Sequence, residues 1–210
     1  MLENIGCTTI KLLNCFVNSG FMVVRVLGIT GTFQAGKDAV AALIGWRKYS
    51  CSDIIREECL RRGLSIDNNQ NLIDIGDEMR KTSGDAGVLG KKAVEQIVAD
   101  GVDKAIVVSI RTPAEVLALK NAPNVDFRLL ILDAPITLRF ERAKKTPRFA
   151  TIPFGEFKAQ EEKQMQGGEA HNMHLAKVFE MADAKIVNAF ETKNELKKAV
   201  DVLLNQWGWN

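Results

Sequence analysis

Short apolar, β-branched runs alternate with amphipathic runs along the chain from residue 22 onward. Four runs are apolar on both faces, at residues 23–30, 104–110, 128–133 and 184–188, and a shorter one lies at residues 46–50. Runs of this kind predict strands of a parallel sheet that helices cover on both sides. The alternation therefore predicts a three-layer α/β/α fold with a mostly parallel five-stranded sheet.

Helix-start signals stand between these runs. Thr112 is followed by Pro113 and Glu115, and Thr192 is followed by Glu195, so both threonines head a capping box. Ser52 is predicted to cap a further helix that ends near the glycine at position 63. These signals place helices directly after the predicted strands.

Residues 1–21 do not continue this pattern. Their apolar stretch at residues 10–17 is short and contains Lys11 and Asn14, so it lacks the features of a signal peptide. It also falls short of the roughly 20 apolar residues that a membrane span needs. We expect an N-terminal extension outside the fold, followed by one domain over residues 22–210 with a small helical lid around residues 139–175.

The amino-acid composition limits the classes of function that we expect for this protein. Hydrophobic residues make up 46% of the chain, charged residues 26%, and the formal net charge is +2. This balance is typical of a globular domain and argues against general affinity for nucleic acid. The four cysteines lack zinc-site spacing. We expect a cytoplasmic protein with reduced thiols that binds neither nucleic acid nor a membrane.

A glycine-rich loop carries the most specific chemistry. Gly31, Gly36 and Lys37 match the pattern of a phosphate-binding loop (P-loop), lying between a predicted strand and a predicted helix. Backbone N–H groups of such a loop and the following helix start attract phosphate, and the lysine contacts the β- and γ-phosphates. The predicted ATP-binding or GTP-binding residues are Gly31, Thr32, Gln34, Ala35, Gly36, Lys37, Asp38 and Ala39.

The magnesium ligands differ from the usual pattern. A serine or threonine normally follows the P-loop lysine and binds Mg²⁺, whereas this chain has Asp38. Asp38 is predicted either to bind Mg²⁺, directly or through water, or to stabilise the helix dipole. Ser109 ends the third strand, where many P-loop enzymes have an aspartate. Asp133 on the next strand either compensates or caps the turn before Pro135.

Four stretches in order resemble the nucleoside monophosphate kinase branch of P-loop proteins, including dephospho-coenzyme A kinases and deoxynucleotide monophosphate kinase-like ATPases. They are residues 28–38, 52–56, 132–142 and 182–188, within a resemblance that covers residues 26–207. The first stretch is highly specific for these families. The other three are less specific individually, but their order along the chain strengthens the resemblance. The resemblance implies an ATP- and Mg²⁺-dependent kinase, with Asn188 near the nucleotide.

Arginines support this comparison because their planar side chains bind two phosphate oxygens at once. Arg111 directly follows the third strand, and Arg139 and Arg142 lie three residues apart on one predicted helix. We expect Arg139 or Arg142 to reach the nucleotide. Lys37, Asp53, Arg111 and Arg142 are the predicted catalytic residues, and Asp53, Arg56, Arg111 and Arg148 the predicted acceptor-binding residues.

The role of Asp53 depends on the acceptor. In dephospho-coenzyme A kinases an aspartate after the second strand is the base for the acceptor hydroxyl, and Asp53 has a comparable place. A monophosphate acceptor needs no base, and Asp53 is then a helix-dipole residue. The stretch at residues 52–56 favours a nucleoside or deoxynucleoside monophosphate acceptor. Dephospho-coenzyme A is the alternative acceptor, and a nucleotide-binding regulator or slow ATPase is the alternative of another class.

Overall fold

The sheet of this protein has five parallel strands in the order β2-β3-β1-β4-β5. The structure is a computed structural model that describes residues 23–166 and 173–209. The strands are β1 (Val24–Gly31), β2 (Arg47–Ser50), β3 (Lys104–Val108), β4 (Val125–Asp133) and β5 (Ala184–Val187). The predicted α/β fold is confirmed, and the sheet is parallel throughout.

The helices connect the strands. They are α1 (Lys37–Ile44), α2 (Cys51–Arg61), α3 (Asn69–Thr82), α4 (Val88–Asp100), α5 (Pro113–Lys120), α6 (Ile136–Ala143), α7 (Phe154–Gln166), α8 (Leu175–Glu180) and α9 (Lys193–Gln206). A short 3-10 helix covers Pro147–Phe149. The capping boxes predicted at Thr112 and Thr192 are both present, at the starts of α5 and α9.

The central strand β1 divides the core into two layers. Val26 packs into the cluster formed with α2, α4 and α5, whereas Leu27 packs into the cluster formed with α1 and α9. Both side chains are fully buried. Alternate side chains of a strand point to opposite faces, so burial on both faces explains the continuous apolar runs in the sequence.

Two predicted boundaries differ from those in the structure. Strand β3 ends at Val108, not at residue 110, because Ser109 has a left-handed backbone with φ +64°. Helix α2 begins at Cys51, and Ser50 rather than Ser52 is its N-cap residue. Strand β2 runs into α2 without a loop, so Ser52 lies inside the first helical turn.

A small aromatic core joins the segment at residues 136–166 to the phosphate loop. Ala143, Phe149 and Phe157 are buried in it, and Phe33 packs against it. The ring centroids of Phe33 lie 5.7 Å from Phe149 and 6.0 Å from Phe157. The predicted extension at residues 1–21 and part of the predicted lid lie outside the described residues. Within residues 23–166 and 173–209, no helix has the length and apolarity of a membrane span.

Candidate nucleotide and acceptor site

Two glycines allow the loop after β1 to take its shape. Gly31 has φ +146° and Gly36 has φ +100°, which L side chains rarely adopt. A Cβ on Gly31 would lie 1.8 Å from the backbone oxygen of Leu132, and one on Gly36 would lie 2.5 Å from Nδ2 of Asn188. Both positions therefore require glycine, and the loop leads directly into the positive end of α1.

Neighbouring strands hold the loop from behind. The Thr32 hydroxyl donates a 3.0 Å hydrogen bond to Oδ1 of Asp133, which also accepts one of 2.9 Å from the Ala134 backbone N–H. The Asn188 amide donates a 2.8 Å hydrogen bond to the backbone oxygen of Ala35. Asn188 was predicted to lie near the nucleotide. Its amide is buried directly after β5 and supports the loop.

Asp133 is held as a carboxylate. Burial raises its pKa, but hydrogen bonds from Lys185, Thr32 and the Ala134 backbone outweigh that effect and leave the pKa below its ordinary value. Nζ of Lys185 lies 2.9 Å from Oδ2. Asp133 therefore has the predicted capping role before Pro135. It also accepts a hydrogen bond from the phosphate loop, which the sequence did not indicate.

Lys37 folds back onto its own loop. Its Nζ donates hydrogen bonds of 2.6 Å to the backbone oxygen of Thr32 and 3.1 Å to that of Gly31. Part of the residue borders the cleft, but the ammonium group lies deep among protein atoms. Burial first, and then the positive charge of Arg111, lower the pKa of Lys37 to about 7. An incoming phosphate would compete directly for this ammonium.

One cleft of about 640 Å³ opens in front of the loop. Seven of the predicted site residues line it: Gln34, Gly36, Lys37, Asp38, Ala39, Arg56 and Arg111. Arg56 comes from α2 and Arg111 from the end of β3, so the parallel strands bring both arginines to the edge that carries the phosphate loop. The cleft thus joins a predicted donor site to a predicted acceptor site.

Asp53 does not line this cleft. It forms an ion pair with Arg56, its side chain is 59% exposed, and it borders a separate depression beside β2. Asp38 does line the cleft, at its open edge. Its side chain is 88% exposed, and Oδ1 lies 3.5 Å from Nζ of Lys48.

Arg139 and Arg142 lie behind the loop and do not line the cleft. Arg139 donates to the backbone oxygens of Ala134 at 2.6 Å and Phe33 at 3.4 Å, and it forms an ion pair with Glu161 of α7. Arg142 donates to the backbone oxygen of Asn188 at 3.1 Å, and burial lowers its pKa. These arginines connect the lid to the loop. The Arg148 side chain lies outside the described residues.

Several cleft residues were missed by the sequence interpretation. Asp77 and Arg80 reach the cleft from α3. The Ser52 hydroxyl lies 3.2 Å from that of Ser109 and accepts a 3.0 Å hydrogen bond from Nη1 of Arg56. The only available signal for Asp77 and Arg80 was their spacing on one helix, which many surface ion pairs share.

The chain has sequence relatives among archaeal proteins. No protein-family profile matches the chain. A UPF0200 protein of Methanosarcina mazei is 26% identical over 184 residues, covering 87% of this chain and 94% of the relative. A UPF0200/UPF0201 protein of Archaeoglobus fulgidus is 28% identical over 186 residues, covering 86% of this chain, which spans only 55% of that relative.

Two solved shikimate kinases have a similar structure. The enzyme from Bacteroides thetaiotaomicron gives a TM-score of 0.52 at 15% identity, covering 88% of this chain and 98% of that chain. The Acinetobacter baumannii enzyme, in complex with shikimate, gives 0.51 at 14% identity, covering 89% and 96%. This chain therefore has a fold similar to that of these two enzymes. At this level of identity the likeness concerns the fold alone.

Proposed function

We propose that this protein is a kinase that transfers the γ-phosphate of ATP to a small anionic acceptor. One observation carries the proposal: Lys37 of the phosphate loop and Arg111 at the end of β3 line the same cleft. They lie close enough for the charge of Arg111 to lower the pKa of Lys37. Phosphoryl transfer needs two anionic substrates in line and much neutralising charge, which this arrangement supplies.

On the donor side, the backbone N–H groups of residues 31–37 and the start of α1 would bind the β- and γ-phosphates. The Lys37 ammonium would exchange its hydrogen bonds to two backbone oxygens for hydrogen bonds to phosphate oxygens. The new hydrogen bonds would be stronger, because the phosphate oxygens are charged and the backbone oxygens are neutral. The similar fold of enzymes named as shikimate kinases supports a small-molecule kinase.

Magnesium would enter with the nucleotide. Residues 23–166 and 173–209 contain no cluster of three or more potential metal-ligating His, Cys, Asp or Glu side chains. Mg²⁺ commonly binds through one or two carboxylates together with waters and substrate phosphates. Asp38 has the right chemistry and lies at the cleft edge, beside the loop. The ion would neutralise charge on the transferred phosphate.

On the acceptor side, Arg56 and Arg111 would bind an anionic group. Two acceptor chemistries fit these arginines. In a nucleoside or deoxynucleoside monophosphate, which the sequence favours, a phosphate oxygen attacks; in dephospho-coenzyme A, a hydroxyl attacks. The lid at residues 139–175 would exclude water, because an exposed γ-phosphate would otherwise be hydrolysed.

The direct test is incubation of the full chain with γ-labelled ATP, Mg²⁺ and a panel of nucleoside monophosphates, dephospho-coenzyme A and small hydroxy acids. Labelled product from one acceptor supports the proposal. Lys37→Ala should abolish that product while circular dichroism remains unchanged. Transfer by Lys37→Ala at the wild-type rate would remove the phosphate loop from the mechanism.

A nucleotide-binding regulator or slow ATPase is the second candidate function. It is favoured by Ser109 in place of a carboxylate, and by Asp133, whose oxygens already bind Thr32 and Lys185. ATP binding cannot separate the two functions because both require it. Tight ATP binding without phosphorylation of any panel member would favour the regulator.

A further inference from the structure

Asp77 is a carboxylate inside a cleft whose other charged groups are mostly cationic. Helix α3 presents Ile73, Asp77 and Arg80 to the cleft, at spacings of four and three residues that place them on one helical face. Glu78, the next residue, does not line the cleft and forms an ion pair with Arg62 at 2.8 Å. The side chain of Asp77 is 27% exposed.

A buried network fixes the position of Asp77. Its Oδ1 accepts a 3.1 Å hydrogen bond from Nη1 of Arg80. The Nε and Nη2 atoms of Arg80 donate at 3.0 and 2.9 Å to Oε1 of Glu115, which is fully buried. Oε2 of Glu115 accepts a 2.7 Å hydrogen bond from the backbone N–H of Arg111. These hydrogen bonds therefore fix the position of Asp77 relative to Arg111, the predicted acceptor-binding arginine.

A close helix contact keeps Asp77 at the cleft wall. Gly76 precedes it, and a Cβ on that glycine would lie 2.9 Å from Cδ1 of Ile55 on α2. The small residue lets α3 approach α2, which carries the cleft residues Ile55 and Arg56. Apolar Leu72 lines the same wall. The wall thus offers an anion-binding group, a carboxylate and an apolar surface.

The carboxylate discriminates between the two acceptor chemistries. It would repel an attacking phosphate, which is already anionic, whereas a hydroxyl donates a hydrogen bond to it and needs a proton acceptor as it attacks. We propose, resting on the kinase function above, that Asp77 contacts the acceptor and accepts the proton of its attacking hydroxyl. The acceptor is then a small molecule with both a hydroxyl and an anionic group.

The transfer step balances with Asp77 in this role. The hydroxyl oxygen forms a bond to the γ-phosphorus, and the bond from that phosphorus to the bridging oxygen of ADP breaks. The leaving electron pair stays on ADP, and the hydroxyl proton moves to the carboxylate of Asp77. Release of that proton to water returns Asp77 to its starting state, with a phosphate ester and ADP as products.

The test compares single substitutions with the wild type, using the acceptor that the panel identifies. Asp77→Asn keeps an oxygen that can accept from Arg80 but cannot take a proton at working pH. The control Glu78→Gln neutralises the adjacent carboxylate of α3, which does not line the cleft and pairs with Arg62. For each variant, calorimetry measures the ATP affinity, and the melting temperature is determined. Asp77→Ser provides a second variant in case Asp77→Asn folds poorly.

We expect Asp77→Asn to lower kcat/KM for the acceptor by about 10²–10⁴-fold and to abolish the acidic limb of its pH profile. ATP affinity should stay within about threefold, and Glu78→Gln should behave as wild type. Phosphorus NMR should show a phosphate ester. A phosphoanhydride product, or an Asp77→Asn enzyme within about threefold of wild type, overturns the assignment and leaves the kinase function standing. Absence of any product from wild type overturns the kinase function itself.

Discussion

Arg80 and Glu115 form an ion pair in which both side chains are almost inaccessible to water. The Arg80 side chain is 3% exposed and that of Glu115 is 0% exposed. Glu115 also accepts from the backbone N–H groups of Arg111 and Thr112, so one carboxylate joins α3 to the turn after β3. This pair positions the side of the cleft to which we assign the acceptor.

Loss of Arg80 should destabilise the fold strongly. Arg80→Met leaves the Glu115 charge buried without its ionic partner, which typically costs about 3–5 kcal/mol. Chemical denaturation at pH 7 measures the free energy of unfolding. Arg62→Met is the matched control, since its ion pairs with Glu58 and Glu78 are exposed to water and it should lose much less. Equal losses in the two variants would contradict a special role for the buried pair.

Lys37 should make the stability of the free protein depend on pH. Its pKa falls from 10.5 to about 7 on folding, so the unfolded chain binds more protons between these values. Stability therefore rises with pH across this window, by up to about 1.4 kcal/mol per pH unit for one proton. Lys37→Met removes this contribution and should be stabilising near pH 7, with the gain shrinking towards pH 10. Parallel slopes for wild type and variant in denaturation series would contradict the prediction.

ATP binding should take up a proton above pH 7. Phosphate oxygens beside Lys37 favour its charged form, so the pKa rises on binding and the affinity falls as the pH increases through the free-protein pKa. Calorimetry in buffers of different ionisation enthalpy counts the protons. Arg111 is the charge that lowers the pKa of Lys37 most, so Arg111→Ala should move proton uptake to higher pH. An affinity that does not change from pH 6.5 to pH 9 would exclude this linkage.

Arg111 should act on the acceptor more than on ATP. Arg111→Ala removes charge-assisted hydrogen bonds worth about 1.5–3 kcal/mol, so the acceptor KM should rise about 10–100-fold. ATP affinity well below pH 7, where Lys37 is mostly protonated in both proteins, should change by less than about threefold. Arg61→Ala, on the exposed side of α2, is the control. Equal losses for both ligands would place Arg111 on the donor side.

Asp38 should set the magnesium requirement. Its carboxylate replaces the usual hydroxyl, so Asp38→Ala should raise the Mg²⁺ concentration for half-maximal transfer by about tenfold, and Asp38→Ser by less. Lys48→Ala removes the partner 3.5 Å away and should leave the requirement nearly unchanged or lower it. An unaltered Mg²⁺ titration for Asp38→Ala would mean that Asp38 only stabilises the dipole of α1.

The sequence by itself determined the sheet, the phosphate loop and the helix starts at Thr112 and Thr192, because each depends on local pattern. Apolar runs predict buried strands, and glycine permits the positive φ of Gly31 and Gly36. Each capping box involves hydrogen bonds between residues only three positions apart. The order of the strands then brought Arg56 and Arg111 to one edge, as general rules for parallel sheets require.

Only the tertiary structure decided which charged groups face the cleft. Asp53–Arg56 and Asp77–Arg80 have the same three-residue spacing, yet the first pair is 59% and 41% exposed and the second 27% and 3%. Glu161 likewise pairs with Arg139 from 22 residues away, and Arg139, a predicted nucleotide contact, lies outside the cleft. Helical spacing tells which side chains share a face, but packing between distant segments decides where that face points.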